Sequence, residues 1–142
     1  GTLPTELGMI TDLQYFSALN NRLSGTLPTE LRHLTALTSL SLGNNYLTGT
    51  IPKEFDTWIN LRLIALDDNL LTGTLPSTLG TWTALTLLGV GSNGLTGTIP
   101  TQLGFLSSLQ TIDLYNNSMY GTLPTELAQL VSLAWLNIAN NG

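Results

Sequence analysis

Gly-Thr followed by Leu or Ile and then Pro occurs at Gly1, Gly25, Gly49, Gly73, Gly97 and Gly121, at an unbroken interval of 24 residues. A fixed period in this range marks a solenoid, in which one turn cannot bury its own apolar face but a stack of turns can. Residues 1–142 therefore form a single domain of six turns, the last two residues short. The chain opens in full register without an initiator Met and closes mid-repeat at Asn141-Gly142. Solenoid ends normally carry polar capping turns, so the expectation is a segment of a longer protein, without its caps.

Within each copy the frame Leu37, Leu40, Leu42, Asn45, Leu47 recurs, as Leu61, Ile64, Leu66, Asn69, Leu71 and as Leu85, Leu88, Val90, Asn93, Leu95. The alternation Leu40-x-Leu42 has period two and reads as a short strand with one face inward. One such strand per turn, always in the same direction, stacks into a parallel sheet. Asn21, Asn45, Asn69, Asn93, Asn117 and Asn141 form one column. An amide there satisfies backbone groups left unpaired where the strand bends away, so this is a structural ladder.

These residues carry a resemblance. The pattern L-x-x-L-x-L-x-x-N-x-L-x-G-x-I/L-P resembles the plant-type, 24-residue leucine-rich repeat over all six turns. It is weakest in the first, where Phe16 and Ala18 replace leucines. The resemblance implies an α/β right-handed horseshoe segment with a parallel concave sheet. It also implies short second strands on the flank, around Leu47–Ile51, and short helical turns on the convex side. It further implies a non-enzymatic, extracellular recognition module, as in receptor-like kinase ectodomains and polygalacturonase-inhibiting proteins. Those proteins usually carry cysteine-bearing caps, and this chain has no cysteine.

With four basic and nine acidic residues and a net charge of −5, the chain lacks the basic stripe expected of a nucleic-acid binder. It also suits an anionic membrane surface poorly, and no apolar run is long enough for direct membrane insertion. Gly89-Val90-Gly91-Ser92-Asn93-Gly94 spells a dinucleotide fingerprint, but Thr96-Gly97-Thr98-Ile99-Pro100 follows where that motif needs a helix. His33, the only histidine, falls in the convex segment, opposite the concave Asp67, Asp68 and Asp113. No Ser-His-Asp relay assembles from that arrangement, and one histidine without cysteine makes no zinc site. Asp67 and Asp68 alone are far short of a calcium shell. The reading is of no enzyme, no metal and no cofactor.

The concave columns are free of packing demands. One runs Tyr15, Ser39, Leu63, Leu87, Thr111, Trp135; the next Ser17, Ser41, Ala65, Gly89, Asp113, Asn137; the third Leu19, Gly43, Asp67, Gly91, Tyr115, Ala139. Leu63 and Leu87, beside Ala65 and Gly89, predict a shallow apolar floor. Asp67, Asp113, Tyr115, Trp135 and Tyr15 rim it. Aromatic anchors round an apolar patch suit a protein, peptide or glycan ligand.

A second constellation is the threonine ladder. Thr26, Thr50, Thr74, Thr98 and Thr122 follow each glycine, and Thr48, Thr72 and Thr96 precede it, with Tyr120 breaking the row. If the segment is extended, Thr-Gly-Thr places two rows on one flat flank, roughly 6.6 Å apart along the strand. That arrangement resembles an ice-binding face, an alternative to concave recognition; branched Thr also simply suits strands. A spacer role within a longer solenoid is the third reading. Asn116-Asn117-Ser118 is a glycosylation sequon, in keeping with a secreted or cell-surface glycoprotein.

Overall fold

The computed structural model describes residues 1–142 as a solenoid of six turns. The strands are β1 (Tyr15–Ser17), β2 (Ser24–Thr26), β3 (Ser39–Ser41), β4 (Tyr46–Gly49), β5 (Leu63–Ala65), β6 (Leu70–Gly73), β7 (Leu87–Gly89), β8 (Gly94–Gly97), β9 (Thr111–Asp113), β10 (Ser118–Met119) and β11 (Trp135–Asn137). Two parallel sheets result, ordered β1-β3-β5-β7-β9-β11 on the concave side and β10-β8-β6-β4-β2 on the flank.

In the concave sheet each residue pairs with the one 24 positions on, as in Ser39↔Leu63, Leu63↔Leu87 and Leu87↔Thr111. The flank differs. There Thr26 pairs with Thr48, Thr48 with Leu70 and Thr72 with Gly94, a step of 22. The flank ladder is thus sheared by two residues at every rung.

The convex side is made of 3₁₀ turns, not α-helix: Thr5–Met9, Thr29–His33, Lys53–Thr57, Ser77–Thr81, Thr101–Phe105 and Thr125–Gln129. A proline precedes each one, with φ between −60° and −74°, pre-set to enter a helical turn. Only five residues separate that proline from the column of Leu34, Trp58, Trp82, Leu106 and Leu130, room for one tight turn.

The repeat leucines form one continuous core of 29 buried side chains. Trp58 and Trp82 belong to it, in the column that holds Leu34, Leu106 and Leu130 on other turns, which marks them as core filler. Their indole N–H groups donate to the carbonyls of Leu31 (3.0 Å) and Phe55 (2.8 Å), and the Phe55 and Trp58 rings stack at 3.9 Å. The asparagine column is the expected ladder. Asn69 Nδ2 donates to the carbonyls of Leu42, Leu66 and Asp67, and its Oδ1 accepts from the Leu47 N–H at 2.9 Å.

Candidate functional site

On the concave face, Leu63 and Leu87 stand side by side in register and half-buried. The rest of the floor is not apolar. The Asp67 carboxylate reaches across to the next rung, where Oδ1 accepts the Gly91 N–H at 2.8 Å. Its other oxygen lies 2.5 Å from where a β-carbon on Gly89 would stand. From the opposite side the Tyr115 ring lies down on Gly91, in space any side chain there would fill. Glycine at 89 and 91 therefore lets an acid and an aromatic from neighbouring turns converge on the fourth rung. That role was open to reading from the sequence, as glycine in a column otherwise free to vary, but the floor reading missed it.

Burial holds the Asp67 carboxyl above the usual carboxylate range, opposed by the Gly91 hydrogen bond and assisted by the charges of Asp113 and Asp68. Asp113 is half-buried on β9, directly opposite Gly89. Leu63, Leu87, Asp67, Asp113 and Tyr115 thus form one patch across β5, β7 and β9. Tyr15 does not join it. It sits on β1, 72% exposed, five rungs or roughly 24 Å from Trp135 at 4.8 Å per rung. Trp135, 57% exposed, borders the patch on β11.

The threonine rows part. Gly25, Gly49, Gly73 and Gly97 have φ of 78–79°, so the backbone is not extended there, and β4, β6 and β8 end at that glycine. The alternation that would put Thr48 and Thr50 on one face holds only for extended backbone. Because of the shear, Thr48 lies opposite Leu70, Thr72 opposite Gly94 and Thr96 opposite Ser118. The Thr72 and Thr96 hydroxyls are turned back to the carbonyls of Gly49 and Gly73, at 3.3 and 3.2 Å. Thr26, Thr50, Thr74 and Thr98 instead line a groove between the flank sheet and the 3₁₀ turns, and Thr122 is exposed on the last turn. The expected flat two-row array is absent from this geometry.

A column at positive φ also escaped the sequence reading: Asn20, Asn44, Asp68, Ser92, Asn116 and Asn140, with φ of 49–58°. The signal was there, since Asn and Asp tolerate this region. Asn116 is exposed, and its Nδ2 donates to Ser92 Oγ at 3.3 Å. His33 ends the second 3₁₀ turn, exposed on the convex side. No helix is long and apolar enough to cross a membrane.

Family models described as leucine rich repeat match residues 83–142 and 36–58. The plant peptide hormone receptor RGFR1, solved in complex with RGF2, superposes with a TM-score of 0.98 at 38% identity over 99% of this chain. The chain belongs to the plant-type leucine-rich-repeat family. The leucine-rich-repeat ectodomain of the Arabidopsis receptor kinase HAESA, in complex with an N-terminally extended IDA peptide hormone ligand, matches at 28% identity with a TM-score of 0.93. That match takes in 99% of this chain and 28% of the receptor. The Arabidopsis thaliana BIR3–SERK2 complex matches at 31% identity and TM-score 0.80, over 89% of this chain and 66% of the other. These six repeats span about a quarter of the first receptors matched, 23% and 24% of their chains. A sequence comparison with curated proteins finds no match.

Proposed function

We propose that this leucine-rich-repeat chain is the ligand-recognition segment of a cell-surface receptor, binding an extended peptide across β5, β7 and β9 without turnover. The observation that carries the reading is the juxtaposition on those strands. Leu63 and Leu87 offer an apolar strip, and Asp67 and Tyr115 close over Gly89 and Gly91 beside it, with Asp113 on the next strand. A ligand with an apolar side chain next to a basic one is complementary to that pair of surfaces. The similarity to receptors solved with peptide hormones supports the same reading and an extracellular setting.

Selection of displayed random peptides on the 142-residue chain tests it. Enriched sequences are expected to carry an apolar residue adjacent to Lys or Arg and to lose binding to Leu87→Arg. Enrichment that is indifferent to Leu87→Arg, to Asp67→Asn and to Trp135→Ala refutes the concave site and leaves a spacer role.

A further inference from the structure

Asp67 and Asp113 come to Gly89 from opposite sides. The Asp67 Oδ2 atom lies 2.5 Å from where a Gly89 β-carbon would stand, and Asp113 is the strand partner of Gly89 on the next rung. Each carboxylate spends one oxygen on a backbone N–H. Asp67 Oδ1 accepts from Gly91 at 2.8 Å and Asp113 Oδ1 from Tyr115 at 3.4 Å, which leaves one oxygen on each of two side chains from different rungs. The Tyr115 ring closes the same spot from the far side, against Gly91. The charges acting on Asp67 are those of Asp113 and Asp68, both negative, so the chain itself supplies no counter-charge there.

We propose that this notch selects arginine: the guanidinium of a ligand side chain sits between Asp67 and Asp113, against the Tyr115 ring, and is preferred to the ammonium of lysine. The inference rests on the peptide reading of the concave patch and names the residue which that patch selects. Three properties favour guanidinium. Its five N–H donors fan out in one plane, so it serves single oxygens on two side chains at once. That plane also stacks against an aromatic ring, which a compact ammonium cannot do. Burial already disfavours charge at Asp67, and guanidinium, more weakly hydrated than ammonium, gives up less on entering such a place. Leu87 stands two residues before Gly89 on the same strand, so an apolar neighbour of that arginine meets the leucine strip.

Titration of the acetylated, amidated dipeptides Leu-Arg, Leu-Lys and Leu-citrulline into the 142-residue chain, followed by amide NMR at Gly89 and Gly91, tests the proposal. Leu-Arg is expected to bind about fivefold more tightly than Leu-Lys, and about tenfold more tightly than the uncharged Leu-citrulline. Asp67→Asn keeps an acceptor for the Gly91 N–H, so the folded spectrum is retained, and is expected to lose about tenfold toward Leu-Arg. Tyr115→Leu is expected to bring Leu-Arg and Leu-Lys to within about twofold of each other. Leu-Lys binding as tightly as Leu-Arg overturns the inference. So does an affinity for Leu-Arg that Asp67→Asn leaves unchanged, or an arginine preference that Tyr115→Leu leaves unchanged. If both dipeptides still lose affinity in Leu87→Arg, the peptide reading stands without it; binding indifferent to Leu87→Arg as well overturns both. Absence of saturable Leu-Arg binding at Gly89 and Gly91 overturns the inference alone, and the displayed-peptide selection then decides the reading.

Discussion

The Gly91 N–H donates to the carboxylate of Asp67, 24 residues earlier and one turn below, at 2.8 Å. This bond draws an acid down onto a surface that would otherwise be bare backbone. It only partly offsets the burial of that acid. Burial raises the Asp67 carboxyl in the folded chain above its ordinary value of 3.8. A raised carboxyl binds more protons folded than unfolded, so its contribution to stability is fully present below pH 3.8 and is lost as pH rises through the folded value. At neutral pH the ionised group therefore costs stability. Asp67→Asn is expected to melt higher than the parent at pH 7, by less than about 1 kcal/mol because water still screens the carboxylate. That advantage shrinks as pH approaches 3.8. Melting curves at several pH values check it; an advantage that grows on acidification contradicts the assignment.

Gly73 combines φ of 79° with the Thr50 methyl 2.7 Å from where a β-carbon would stand. Gly73→Ala meets both obstacles and is expected to destabilise the solenoid by about 2–3 kcal/mol. Adding Thr50→Ala removes the contact but not the dihedral strain, so urea denaturation of the double variant should show only part of the Gly73→Ala loss recovered.

Asn69 is buried and serves four backbone partners on two turns, whereas Asn21 is exposed and bonds only the carbonyls of Ala18 and Leu19. Replacing Asn69 by Ala leaves the buried Leu47 N–H unpaired, whereas the carbonyls of Leu42, Leu66 and Asp67 keep Asn45 Nδ2, Asn93 Nδ2 and the Asn44 N–H as donors. Asn69→Ala is expected to cost about 2–4 kcal/mol, and Asn21→Ala no more than about 1 kcal/mol. Similar losses at the two positions would contradict the ladder.

Trp58 and Trp82 are buried while Trp135 is largely in water. Acrylamide is expected to quench one fraction of the tryptophan emission readily, and Trp135→Phe to remove that fraction. Trp58→Phe instead leaves the Leu31 carbonyl without its indole donor and should cost about 1–3 kcal/mol.

Asn116 stands exposed at the end of a concave strand. Expression through a eukaryotic secretory route is expected to add one glycan to the chain. Ser118→Ala, which leaves the backbone of Asn116 untouched, should remove it, as mass spectrometry of the two proteins would show.

The concave register, the inward leucines, the tryptophan filler and the asparagine ladder were all legible before any coordinates. Each follows from an alternation of two inside a period of 24, and such patterns are local. Leu40 must face inward because Leu42 does, and Asn69 must lie one turn above Asn45. The threonine rows show where this reasoning stops. It assumed extended backbone through Gly49, but a glycine without a β-carbon is free to turn there, and whether it does is set by how the next turn packs on it. The shear of the flank sheet then decided which threonine faced which neighbour. Glycine at 89 and 91 likewise looked like a gap in the concave columns. The empty space it leaves has meaning only because Asp67 and Tyr115, 24 residues away in each direction from Gly91, lean into it. Contacts between side chains on adjacent rungs depend on the rise and tilt of the stack, and these emerge only when all six turns are packed together.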